Sequence, residues 1–132
     1  MDTNILISAA IRDAGARAVL LFPFFRFFAP DHALVELERH YPEILEKTAL
    51  GDPECRRLLH GLLSVVTVVP KRDFKAHIPK ALKIMEDIDE DDTEFLALAL
   101  SFQNDGIWSE DRDFQRQTAV RVWKTGELLD VL

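Results

Sequence analysis

A single cysteine, Cys55, among 132 residues leaves no internal disulfide to form, so burial and hydrogen bonding must hold the fold. Arg56 and Arg57 could make that thiol more reactive, but nothing nearby suggests a partnered nucleophile, and Cys55 reads as inert. Long apolar runs are also missing: Arg12, Asp13, Arg17 and Arg26 interrupt the hydrophobic first third before it reaches the ~20 residues a bilayer span requires. The opening Met1-Asp2-Thr3-Asn4 lacks the basic start of a secretory signal, which together with the lone cysteine favours a cytoplasmic protein. Positive charge is scarce. With 16 Lys and Arg against 23 Asp and Glu, the net charge of −7 argues against a protein that coats nucleic acid nonspecifically. His32, His40, His60 and His77 show no metal-ligand spacing, which argues against zinc, and the five glycines are too scattered for a phosphate loop or a dinucleotide fingerprint.

What is present is enough apolar material, 48% of residues, for one real core, and the length suits one domain spanning 1–132. Helical spacing predicts helices over Asn4–Arg12 and Gly15–Leu21, and the aromatic run Phe24–Ala29 predicts a buried strand closed by Pro30. Asp31 is placed to cap a helix reaching about Leu50, which Pro42 kinks or divides. Asp52-Pro53 then reads as a cap and first-turn proline opening a helix to Leu63, followed by a β-branched strand Val65–Val69. A helix over Asp73–Ile88 follows, with Pro79 near its start, and Asp91 and Glu94 stand in capping-box spacing before Phe95–Leu100, apolar nearly all round. Gly106–Ser109 and Ala119–Trp123 read as strands, and Thr125 as the cap of a last helix. Such alternation predicts an α/β fold whose mostly parallel sheet is covered on both faces, with functional side chains converging at one sheet edge.

Acidic residues dominate the positions sent to that edge. Asp2 precedes the first helix, Asp92 lies in the first turn of the apolar helix, and Asp111 and Asp113 directly follow a strand. Hard cations such as Mg²⁺ and Mn²⁺ want oxygen ligands, so carboxylates from separate elements suit them without His or Cys. Each acid also has an ordinary role: Asp91 as a helix cap, Asp92 beside the helix dipole, Asp111 and Asp113 as turn residues.

Taken together, the motifs carry a resemblance. Asp2-Thr3-Asn4-Ile5-Leu6-Ile7 resembles the opening motif of the PIN-domain family, Asp92-Thr93-Glu94-Phe95-Leu96-Ala97 its buried acidic helix, and Trp108-Ser109-Glu110-Asp111-Arg112-Asp113-Phe114 its late acidic turn. Ala29-Pro30-Asp31-His32-Ala33-Leu34-Val35-Glu36 is similar to the family segment bearing a Glu on a helix, and Val122–Leu132 to its closing strand and helix. The resemblance implies a three-layer α/β/α domain and an acidic quartet of Asp2, Glu36, Asp92 and Asp111. Asp2, Asp92 and Asp111 would be metal ligands, supported by Thr3, Asn4, Ser109 and Asp113. Glu38 lies as close to the apolar face as Glu36, so only the motif selects between them.

The implied activity is Mg²⁺- or Mn²⁺-dependent hydrolysis of RNA, in the manner of VapC-like toxins paired with a small antitoxin protein. The alternative is an impaired PIN-like module that binds RNA or a protein without cleaving. In the family the first Asp ends a hydrophobic strand, whereas only Met1 precedes Asp2 here, so the first strand reads as truncated. A phosphoacceptor receiver domain, with Lys124 as its basic residue, leaves the Asp92 helix unexplained. Phe22, Phe24, Phe25, Phe27 and Phe28 offer more aromatic surface than a short strand buries, which predicts a homodimer. Lys71, Arg72, Lys75, Lys80 and Lys83 form the densest basic segment and are candidates for phosphate contacts or a solvated helix face.

Overall fold

The computed structural model describes residues 1–132. In chain order the helices are α1 (Thr3–Ile11), α2 (Ala14–Leu20), α3 (His32–Thr48), α4 (Asp52–Leu63), α5 (Ile78–Met85), α6 (Thr93–Ser101), α7 (Arg112–Gln115) and α8 (Thr125–Leu129). Four short strands are interleaved: β1 (Phe27–Pro30), β2 (Val66–Val69), β3 (Ile107–Trp108) and β4 (Val122–Trp123). The fold is α/β, rich in helix.

The strands form two separate parallel pairs rather than one continuous sheet. β1 pairs with β2 in the register Phe27 to Val66 through Pro30 to Val69, and β3 pairs with β4 with Ile107 opposite Val122. Met1 and Asp2 link the backbones of the two pairs, and the Phe27 and Trp108 rings also meet between them (centroids 5.1 Å apart). The Met1 nitrogen donates to the Phe28 carbonyl (2.7 Å), and the Asp2 N–H donates to the Trp108 carbonyl (3.0 Å). The continuous sheet read from the sequence is therefore broken where its middle would lie.

One apolar cluster of 26 buried residues runs through the molecule. Leu96 and Ala97 of α6 are fully enclosed, with α5 packed on that helix and α6 in turn against β1, as the all-round apolar pattern requires. α1 packs between α2, α3 and α4. Gly106 is at φ 129°, and a Cβ there would collide with the Arg121 carbonyl oxygen, so only glycine lets β3 and β4 approach.

Several boundaries and caps differ from the pattern-based reading. Pro42 sits inside α3 without dividing it, since one missing N–H is tolerated in a helix whose face buries Leu37, Tyr41 and Ile44. Asp31 makes no cap contact; its carboxylate accepts instead from the Lys71 N–H (3.2 Å) across the β1–β2 edge. Gly51, not Asp52, caps α4, which frees the Asp52 carboxylate for the Tyr41 hydroxyl (2.6 Å). The helix expected over Asp73–Ile88 is two 3-10 turns, Lys71–Asp73 and Lys75–His77, followed by α5 alone. Phe74, completely buried between those turns, pins the chain there more strongly than helix propensity holds it straight. The aromatic strand begins only at Phe27, because Phe22 to Phe25 form an edge-to-face ladder in a turn. Lys124 occupies the cap position of α8, and Thr125 instead accepts the Trp108 indole N–H (3.0 Å).

Candidate metal centre

Three carboxylates stand at helix N-termini: Asp2 is the cap residue of α1, Asp92 of α6 and Asp111 of α7. Helix starts present unpaired N–H groups and partial positive charge, which makes such positions favourable for anions gathered close together.

A hydrogen-bonded chain fixes the deeper part. One Asp2 carboxylate oxygen accepts from the Asn4 N–H (3.1 Å), and the other accepts from the Ser109 hydroxyl (2.7 Å). Ser109, wholly buried, accepts in turn from the Asp111 N–H (2.9 Å), and the Asp111 carboxylate accepts from the Asp113 N–H (2.9 Å). The first and the last thirds of the sequence are thus joined through one hydroxyl. On the other side, the Thr3 hydroxyl donates to the Glu36 carboxylate (2.8 Å), so α3 delivers its acid beside Asp2. Glu38 is ion-paired to Arg56 on the surface between α3 and α4, and His40 lies against Glu43 (3.7 Å). Of the two glutamates the wheel left equivalent, geometry ties Glu36 to this site.

Carboxylate oxygens of Asp89, Asp92 and Asp113 lie within 4.8 Å of one another. Asp89 was not among the candidates. It stands three residues before Asp92 in an acidic run, with its carboxylate accepting the Asp91 N–H (3.0 Å) at the head of the 3-10 turn Glu90–Asp92. That i, i+3 spacing on a tight turn was the available signal, hidden because all six residues from Asp87 to Asp92 but Ile88 are acidic. The same contact makes Asp89 the cap of the turn, and Asp91, read as the cap of the apolar helix, is an exposed member of that turn. Asp113, read as an accessory, belongs to the closest group of three.

The electrostatics follow from this crowding. Burial, and then the charges of Asp89, Asp2, Asp111 and Asp113, push the Asp92 carboxyl up to about 8. Burial also raises Asp2, against the opposing hydrogen bonds from Ser109 and Asn4. Asp92 Oδ2 is buried with no hydrogen-bond partner, as is the Thr93 hydroxyl. A buried carboxylate oxygen without a donor, surrounded by like charges, is suited to a cation. The donor set is all oxygen, and its spread is close to the ~4–5 Å between opposite ligands of a hard divalent ion. The residues present fit Mg²⁺ or Mn²⁺.

At the rim, Glu94 lies 3.6 Å from both His32 Nδ1 and Lys71 Nζ, which sets two basic side chains beside the carboxylates. His32 is one helical turn before Glu36 on α3, and Glu94 is two residues beyond Asp92.

Carboxylates collected from both ends of an α/β chain at helix N-termini are the kind of donor set that hard-metal hydrolytic domains use. The profile of a family described as PIN domain matches residues 1–131, and the chain belongs to that family. Members are generally metal-dependent nucleases. No curated protein and no solved structure matches the chain. No helix is long and apolar enough to cross a membrane.

Proposed function

We propose that this protein is a divalent-metal-dependent endoribonuclease whose metal is held by Asp92 with Asp2, Asp89, Asp111 and Asp113. The observation carrying this reading is the buried, unpartnered Asp92 Oδ2 facing a crowd of carboxylates. Held by these carboxylates, Mg²⁺ or Mn²⁺ would supply charge neutralisation at the scissile phosphate and a more acidic water at neutral pH. Ser109 fixes which way Asp2 faces, and Asp111 is aligned through the same hydroxyl. Glu36, steadied by Thr3, is placed to accept a proton from attacking water or to orient it. Lys71 and His32 are the nearest groups to meet a phosphate backbone once they leave Glu94.

Finer features belong to the same reading. The chain forms one three-layer domain over 1–132. The role as the toxin of a pair held by a small antitoxin rests on the family likeness, and cytoplasmic location on the sequence features above. A homodimer is favoured by Phe24, 86% exposed at the end of the ladder Phe22, Phe25 and Phe27.

The test is cleavage of a mixed RNA pool with Mn²⁺, using single-stranded DNA as a control. Wild type should cut RNA, and Asp92→Asn should be inactive yet folded, since the change removes charge without removing volume. Full activity of the variant would rule out Asp92 as a ligand. One observation favours the second reading, a module that binds RNA without cutting: both Asp2 carboxylate oxygens already accept hydrogen bonds, from the Asn4 N–H and the Ser109 hydroxyl. Saturable, metal-dependent RNA binding with no cleavage would select it.

A further inference from the structure

Between residues 71 and 85 the chain carries five Lys and Arg against one Asp, whereas its other residues carry eleven against twenty-two acids. One segment of an acidic protein is thus strongly basic. Lys71, Arg72, Lys75, Lys80 and Lys83 are all exposed on the two 3-10 turns and α5. Because α5 turns Ala81 and Met85 into the core, with Ile78 and Ile84 half-buried beside them, Lys80 and Lys83 share its outer face one turn apart.

The amines on this face are free. Lys71 reaches Glu94 on α6 (3.6 Å), and Arg72 reaches only its neighbour Asp73 (3.7 Å). Lys75, Lys80 and Lys83 pair with no carboxylate, although Glu86 and Asp87 stand three and four residues beyond Lys83. Like charges one helical turn apart repel, so the fold gains no stability from this arrangement.

The basic segment also borders the carboxylates. Lys71 is set at the β1–β2 edge, where the Asp31 carboxylate accepts its N–H (3.2 Å) and Glu94 lies two residues beyond Asp92. The turn Lys75–His77 and α5 pack on α6, and α5 packs as well on the 3-10 turn Glu90–Asp92. Phe74, fully buried beneath, anchors the segment there. A ridge of unpaired amines therefore lies against the elements that carry Asp89 and Asp92.

We propose that this ridge is where the protein holds the RNA strand beside the cleaved bond, with Lys75, Lys80 and Lys83 on successive backbone phosphates. The inference rests on the ribonuclease reading for the identity of the substrate and extends it from the cleavage centre to the neighbouring nucleotides. Charge complementarity and continuity select this occupant: a strand with one phosphate at the carboxylates must carry others past their border, and the ridge supplies unpaired positive charge there. α5 is eight residues, ~12 Å, long, which accommodates more than one phosphate. Phe74 is buried and offers bases no ring to stack on, so the ridge positions the strand without reading its sequence.

The test is binding of a fluorescent single-stranded RNA of about 12 nucleotides, followed by anisotropy across a salt series in EDTA, where metal-dependent cleavage does not intervene. The variant Lys75→Gln, Lys80→Gln, Lys83→Gln is compared with Arg12→Gln, Arg39→Gln, Arg57→Gln, which removes the same charge from exposed positions elsewhere. The ridge variant should bind about tenfold more weakly and lower the slope of log affinity against log salt by ~2, at ~0.7 per phosphate contact, with a much smaller change in the control. In the wild type, bound RNA should shield Lys75, Lys80 and Lys83 from acetylation read by mass spectrometry. Equal losses in the two variants would reduce the effect to net charge and overturn the proposal, as would a wild type that binds no RNA at micromolar concentration. Binding of an oligo-aspartate peptide through the same lysines, with RNA unbound, would make the ridge a protein-docking face and overturn it equally. Cleavage of the RNA pool with Mn²⁺, measured separately, keeps the two claims apart. Cleavage with no role for the lysines would sink the ridge and leave the nuclease, and lysine-dependent binding without cleavage would do the reverse.

Discussion

Asp92 concentrates the electrostatic strain of the site, and its consequences are measurable without substrate. Burial and the neighbouring carboxylates push its carboxyl up to about 8, far above an ordinary aspartate, so the folded state holds a proton that the unfolded state releases. The stabilising contribution is complete below the unfolded pKa of ~4 and is lost as pH rises through about 8. Metal-free protein should therefore melt at progressively lower temperature between pH 5 and pH 8, and Asp92→Asn should flatten that slope and melt higher at pH 8. A slope unchanged in the variant would place the titration elsewhere. Metal should reverse the effect: Mn²⁺ at ~100 times its dissociation constant adds about 2.7 kcal/mol, and the variant should gain much less. Ser109 offers a second test, since its hydroxyl alone links Asp2 to Asp111. Ser109→Ala leaves a buried carboxylate oxygen and an N–H unpaired, and should destabilise the protein by ~1–3 kcal/mol in urea unfolding. Ser109→Thr, which restores the hydroxyl, should recover part of that loss if the added methyl is accommodated.

The elements place these residues by where they start. α1, α6 and α7 each begin at the site, so their cap positions become carboxylate positions, while α3 contributes Glu36 one turn in from its own start. The turn from β3 into α7 depends on the β3–β4 pair, and that pair depends on Gly106. Gly106→Ala should destabilise by more than ~1 kcal/mol, because it adds both a left-side backbone strain and a collision with Arg121. Calorimetry reads the change, and a substitution without effect would mean that the two short strands separate freely. The helix starts near Asp2 and Asp92 were largely legible in the sequence, because a recognisable helical pattern follows each, whereas α7 after Asp111 was not, that stretch having read as a turn. The caps were less so: Asp31 and Asp52 have the right residue type, but each side chain is taken by a tertiary partner, the Lys71 N–H or the Tyr41 hydroxyl.

At the scale of the whole molecule, the proposed activity requires an acidic protein to bring an RNA backbone to a cluster of like charge. The −7 net charge opposes that approach, and Lys71 and His32 are held at the rim by Glu94 rather than spread over a basic face. Lys71→Ala should weaken RNA binding several-fold and lower its salt dependence by about one ion, leaving the metal-induced rise in melting temperature intact. Filter binding across a salt series would show this, and an unchanged slope would remove Lys71 from the interface. The exposed Phe24 makes a further claim: light scattering should give a dimer for wild type at micromolar concentration and a monomer for Phe24→Lys. A wild-type monomer throughout that range would make the ladder an internal packing feature.

The sequence by itself determined the family, the α/β class and the identity of most acidic candidates, because ordered motifs and apolar periodicity are local properties of the chain. Only the tertiary structure decided which acids meet. Asp89 joins Asp92 and Asp113 because a 3-10 turn brings it back toward α6 and α7, and Glu36 rather than Glu38 enters because Thr3 donates to it. The two-pair sheet was hidden for the same reason: strand pairing depends on neighbours distant in the chain, and β3 and β4 are each two residues long, too short for a pattern of alternation to mark their ends.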